Sequence, residues 1–164
     1  CLHNPAPPVV DDIAQQLCRQ ADILTPNETE FAHLLRVAHG LDIDASTLSS
    51  QSDAALHAWC RAISDATVVI TLGARGAFVS HADNRRRGDP VAHYRVEPCI
   101  VQAVDTTGAG DAFSGALAAA LAKAPTDPFA LAVMQASKVA ALSTERIGAA
   151  LAIPRAREVA ERFG

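Results

Sequence analysis

Apolar and polar positions switch between two periods along this chain, and the switches predict an order of elements. "CLHNPAPP" reads as the end of a strand followed by a rigid proline loop. "DDIAQQLCRQ" spaces Ile13, Leu17 and Cys18 as on one side of a short helix. "ADILTPNETE" opens with a brief buried strand, Ile23, Leu24 and Thr25, broken at Pro26. Asn27 has the chemistry of an N-cap, and Glu28 and Glu30 suit the positive first turn of a helix. That helix runs through Phe31, Leu34 and Leu35 and stops near Gly40. Residues 41–50 carry no period and read as a loop. "QSDAALHAWCRAISDA" sets Ala55, Ala58, Trp59, Ala62 and Ile63 on one face of an amphipathic helix. "TVVITLG" is β-branched and apolar throughout, as for a parallel strand covered on both faces. "AFVSHA" and "VAHYRV" predict two more strands around the polar turn "ADNRRRGDP". After an extended stretch, helices are expected over about 110–123 and 127–143, with a last one from about 155.

Strands alternating with helices predict an α/β fold: a mostly parallel central sheet with helices on both faces, in one domain of 164 residues. Ligands of such sheets bind at the carboxyl ends of the strands. Three loops fall there: "TPNETE", "TLGARG" and "DTTGAGD".

Composition narrows the partners. A net charge of −4 argues against nucleic acid and against an anionic membrane surface. Arg85, Arg86 and Arg87 lack interleaved aromatics and read as a solvated hairpin tip. No stretch approaches the roughly 20 apolar residues that span a bilayer. The four cysteines, Cys1, Cys18, Cys60 and Cys99, contain no C-x-x-C pair and read as reduced thiols of a cytoplasmic protein. The start at Cys1, in mid-phrase, reads as a truncation.

The chemistry sits in the loops. Gly108, Ala109 and Gly110 allow a tight turn with exposed amides ahead of a helix N-terminus, an anion-binding arrangement. No Lys-Ser or Lys-Thr follows, so it is not a Walker A loop, and Gly115 comes two positions late for G-x-G-x-x-G. A carboxylate in that cradle, Asp111, is either a helix cap or the base for a hydroxyl attacking phosphorus. Thr71, Leu72, Gly73, Ala74, Arg75 and Gly76 offer a backbone that a nucleotide could approach, or simply a turn. Asn27 and Glu30 share one face of a first helical turn, as a cap or as oxygens ordering water around Mg²⁺.

"DTTGAGDAFSG" resembles the second signature of the ribokinase-like, or phosphofructokinase-B, carbohydrate kinases, and "NPAP", "TPNETE" and "VVITLGARG" precede it in that family's order. The resemblance implies ATP-dependent phosphorylation of a sugar hydroxyl, with ribose favoured over fructose, other sugars and nucleosides such as adenosine. It implies Asp111 as base and Gly108, Ala109, Gly110 and Asp111 as anion hole. Asn27 and Glu30 match the N-x-x-E motif that supports magnesium and phosphate. Thr71–Gly76 line the nucleotide site, and Ser137 falls where the adenine is approached. A potassium ion is implied beside the anion hole, held by the Asp105 side chain and the carbonyls of Thr107, Ser143, Arg146 and Gly148. Ala152 stands where some members have a Ser hydroxyl. By the same resemblance the sugar-binding N-terminal half and its lid lie outside this chain, and the full-length protein is a homodimer. Two other readings compete: a non-catalytic nucleotide-binding module, and a hydroxymethylpyrimidine-type kinase, which often carries Cys where this chain has Asp111.

Overall fold

The computed structural model describes the backbone of residues 1–6 and 12–164. The chain divides into two compact units, Cys1–Glu97 and Pro98–Gly164. The first holds a five-stranded sheet of β1 (Leu2–His3), β2 (Ile23–Leu24), β3 (Thr67–Thr71), β4 (Ala77–Ser80) and β5 (His93–Val96), in that order. β1, β2 and β3 are parallel, and β4 is antiparallel to both its neighbours, so only β4 runs against the rest. Helices α1 (Asp12–Gln20), α2 (Glu28–His39) and α3 (Asp53–Ile63) belong to the same unit.

The apolar run of β3 sits where it was expected to. Val68, Ile70 and Leu72 join Leu24 and Phe78 in a cluster with Phe31 and Leu35 of α2 and Leu56 and Cys60 of α3. Thr67 and Val69, on the alternate positions, are fully buried as well. A strand buried on both faces has no place for polar alternation, which is why it reads as a continuous run. α2 ends where Gly40 takes φ 67°, and its amide donates to the Arg36 carbonyl at 2.9 Å.

The second unit is helical: α4 (Ala109–Lys123), α5 (Phe129–Ser143) and α6 (Ala156–Phe163). α4 and α5 pack against each other. Buried Ala112, Ala132 and Ala136 let helix backbones approach, while Phe113, Leu117, Phe129 and Val133 fill the remaining space.

Several expectations need correcting. Residues 45–50 form a short 3₁₀ helix, because Asp44 caps the Ser46 amide at 2.9 Å and Leu48 is fully buried. The core face of α3 is Leu56 and Cys60, one turn apart, with Trp59 and Ile63 beside them. Ala58 and Ala62 face solvent: alanine suits either side of a helix, so it could not mark the face. On α1, Cys18 is buried but Leu17 is 45% exposed. The side chain of Ile13, and Pro7 and Pro8 of the proline loop, lie outside the described residues. The arginine turn is not a freely solvated tip. Arg85 pairs with Asp22 at 2.8 Å, Arg86 donates to the Pro90 carbonyl at 3.3 Å, and the next acid, Asp89, is buried. Asp89 accepts from Tyr94 at 2.5 Å and lies 3.0 Å from Nε2 of the buried His81. Nδ1 of His81 is 3.0 Å from the Thr67 hydroxyl, so a neutral ring satisfies both nitrogens, donating to Asp89 and accepting from Thr67.

Burial is the first cause that lowers the pKa of His3, His57 and His81, and the neighbouring His93 and Arg61 lower His57 further. Below a histidine's ordinary value of about 6.5 the unfolded chain therefore binds protons that the folded chain excludes, and stability falls as pH falls. Asp22, Asp44, Asp105 and Glu158 have lowered carboxyl pKa values, through hydrogen bonds that their ionised forms accept. They add a separate loss below about pH 4. Urea unfolding should show a lower midpoint at pH 5.5 than at pH 7.5, and His57→Gln should flatten that slope. A midpoint constant across the interval would refute the histidine assignment.

Candidate active site

In the first unit the end of β2 leads through Thr25 and Pro26 into the start of α2. Asn27 is the N-cap: its side-chain oxygen accepts the Glu30 amide at 2.9 Å, and the Glu30 carboxylate accepts the Asn27 amide at 2.8 Å. This reciprocal box satisfies two helix-end donors, so the capping role weighed for this pair is realised. Glu30 is only 7% exposed, leaving little of its carboxylate open to solvent.

The same turn is tied to the end of β3. Asn27 bridges Thr71 in parallel register, and the Thr71 amide donates to the Pro26 carbonyl at 2.9 Å. "TPNETE" and "TLGARG" are thus neighbours at the carboxyl ends of adjacent parallel strands, as the loop pattern required. "TLGARG" folds as a tight turn into β4. Gly73 and Gly76 take positive φ, the Leu72 amide reaches the Gly76 carbonyl at 2.8 Å, and the Leu72 side chain enters the core. Ala74 and Arg75 project outward. The Arg75 guanidinium lies 3.9 Å from Glu28. Burial raises the Glu28 pKa and the Arg75 charge opposes that rise. The sequence alone places Glu28 only as a dipole-compensating acid; its contact with the second loop depends on the strand pairing.

In the second unit the helix after the glycine turn begins in an unusual way. Its N-cap is Gly108, at φ 78°, and no side chain caps it. The Ala109 amide turns back to the Thr106 carbonyl at 3.2 Å, and helical bonding starts with the Ala112 amide to Gly108 at 2.9 Å. The amides of Gly110 and Asp111 precede that first helical bond and point out of the helix end. Asp111 is the third residue of α4 and is exposed, so it is not the cap. A Cβ placed on Gly108 would come 2.9 Å from the Cβ of Ala149, a contact that no sequence spacing announced.

Asp105 holds the turn together. One carboxylate oxygen accepts the Thr107 amide and the other accepts the Gly148 amide, each at 2.9 Å. The Gly148 bond and then the Thr107 bond pull its pKa down to about 2. The amides of Val104 and Asp105 both donate to the Thr144 carbonyl, at 2.7 and 3.0 Å. Of the groups expected around a cation, Asp105, Thr107 and Gly148 are therefore brought together. The Ser143 carbonyl accepts the Arg146 amide at 3.4 Å. Ser137 lies half-buried on α5, and Ala152 is 1% exposed. Beyond Asp111 an open groove of about 800 Å³ runs along α4, lined by Ala116, Ala119 and Ala120 with Leu131, Val139 and Ile153. Among the described residues no three or more His, Cys, Asp or Glu side chains gather closely enough to hold a metal directly, and no helix is long and apolar enough to cross a membrane.

Residues 1–156 match the pfkB family carbohydrate kinase model. A ribokinase from Haemophilus influenzae is 34% identical over 96% of this chain and 45% of its own length. The ribokinase structure from Thermotoga maritima superposes with a TM-score of 0.77, at 26% identity, over 99% of this chain and 48% of that one. A double-mutant fructokinase from Vibrio cholerae, in a fructose-, ADP- and potassium-bound form, superposes with a TM-score of 0.65, at 28% identity, over 88% of this chain and 41% of that one. The chain thus spans about half the length of the relatives it matches, with a ribokinase-like fold, and it belongs to the pfkB family of carbohydrate kinases.

Proposed function

We propose that this chain is the nucleotide-binding and catalytic C-terminal part of an ATP-dependent sugar kinase, with ribose as the favoured substrate and fructose as the alternative. One observation carries the reading. Asp111 is exposed in the first turn of a helix that Gly108 starts without a side-chain cap, beside amides that no helical bond uses. A carboxylate there caps nothing and stands beside unused amides, where a base for the attacking hydroxyl is needed. The likeness to a Haemophilus influenzae ribokinase supports the choice of sugar.

In this reading the Asp111 carboxylate accepts the proton of a sugar hydroxyl as its oxygen bonds to the γ-phosphorus of ATP. The bond between that phosphorus and the bridging oxygen breaks, and ADP leaves with the electron pair. The amides of Gly110 and Asp111 carry most of the anion hole, because Ala109 spends its own on Thr106. The exposed turn from Gly73 to Gly76 borders the nucleotide, Arg75 adds positive charge, and Ser137 approaches the adenine. Asn27 and Glu30 are committed to each other, so they suit a magnesium ion reached through water and phosphate. A potassium ion at Asp105, with the carbonyls of Thr107, Ser143, Arg146 and Gly148, would supply positive charge beside the turn; the Asp105 oxygens, each accepting one amide, keep lone pairs for it. The sugar contacts, the lid and the homodimer interface belong to an N-terminal half outside this chain. Residues 1–164 alone should bind ATP·Mg²⁺ weakly and phosphorylate no sugar at a useful rate, since positioning alone can account for about 7–11 kcal/mol of a barrier.

In the full-length enzyme Asp111→Asn should lower kcat by at least about a hundredfold with little change in nucleotide affinity, because the amide keeps the shape and cannot take the proton. A variant keeping more than about a tenth of the activity would remove the base assignment.

Gly108→Ala combines a left-handed backbone with a Cβ 2.9 Å from Ala149. It should cost about 1–3 kcal/mol in thermal unfolding and reduce kcat. Adding Ala149→Gly should recover part of the loss, since it relieves the contact and leaves the backbone strain. Full recovery, or none, would contradict this division.

At fixed ionic strength, replacing sodium with potassium should raise kcat. Equal rates in the two salts would remove the cation from the scheme.

A further inference from the structure

The loop that touches the glycine turn is itself held from the far side. Residues 144–149 meet the turn through the Gly148 amide on Asp105 and through Ala149 against Gly108. From the same loop Arg146 reaches Glu158 of α6 with a charge-assisted bond, and Glu145 lies 3.9 Å from Arg162 of α6. Glu145 also accepts the Gln102 amide at 3.1 Å, and Arg162 donates to the Ile100 carbonyl at 3.4 Å, so the loop and α6 both hold residues 100–102, which lead towards the turn. The second oxygen of Glu158 caps its own helix by accepting the Arg155 amide at 2.7 Å. A rigid helical end is thereby coupled, through one loop, to the backbone that presents Asp111.

We infer that Glu158 and Arg146 are positioning residues: the Arg146–Glu158 pair sets loop 144–149 against the glycine turn and so fixes the anion hole without touching substrate. The inference rests on the proposed kinase reading for its effect on rate, and on geometry alone for its effect on the loop. Both partners are partly exposed, at 42% and 35%, so the pair acts by aiming the loop and contributes little to global stability.

The test uses Glu158→Gln, which can still cap α6 because Gln serves at that position of a capping box, and Arg146→Gln, which leaves the cap untouched. In the full-length enzyme each should lower kcat about two- to fivefold with the sugar KM unchanged, in line with an exposed ion pair. Amide hydrogen exchange should accelerate in peptides covering 105–111 and 144–149 and stay unchanged across β3 and β4. Unchanged exchange in both single variants overturns the inference whether or not the protein is a kinase. Faster exchange in a protein that phosphorylates no sugar keeps the clamp and sinks the kinase reading instead. Faster exchange with kcat unchanged refutes the catalytic part of the inference.

Discussion

Asp105 accepts two backbone amides, one from its own loop and one from 43 residues further along the chain. Those bonds join the segment before the glycine turn to the loop after α5, and the geometry of the helical unit's site depends on the junction. Gly108 has to adopt a left-handed conformation to start α4, a conformation that any side chain would resist. The space its missing Cβ leaves is taken by Ala149 of the loop that Asp105 holds. Backbone freedom, close approach and an ionised acceptor therefore act at one point. Their joint effect is a helix that begins with its early amides facing outward and a carboxylate beside them.

The sheet unit solves a similar problem with different means. α2 also has to satisfy its first amides, and it does so with the reciprocal Asn27–Glu30 box. A cap and a ligand site draw on the same physics, since both put oxygen acceptors where a helix presents positive charge. The parallel bridge between Asn27 and Thr71 then locks the capped turn to the glycine-bounded turn after β3, and Arg75 and Glu28 add an ion pair across the two. Two loops far apart in sequence become one surface because the strands that end in them are adjacent.

The fold was legible wherever a single strong local preference acted. The β-branched run of β3, the Asn27 start and Gly40 stop of α2 and the small-residue helices α4 and α5 all stand near their expected positions. It was less legible where side chains were ambiguous. Alanines on α3 gave no reliable face, and Leu56 and Cys60 decided it by packing against β3 and β4. The arginine turn looked solvated, yet Asp22 lies 63 residues before Arg85 and only the sheet brings them together.

By itself the sequence determined the order of elements, the glycine turn and the presence of a carboxylate inside it. These are local properties: β-branching, capping chemistry and the steric freedom of glycine act within a few residues of where they are written. It also carried enough of the family signature to place the chain among the pfkB carbohydrate kinases. Only the tertiary structure decided that Asp111 is not a cap, that Ala149 occupies the space beside Gly108, that each Asp105 oxygen accepts one amide and that α6 grips the loop between them. Each of these is a contact between positions far apart in the chain, and its existence depends on packing that no local preference encodes.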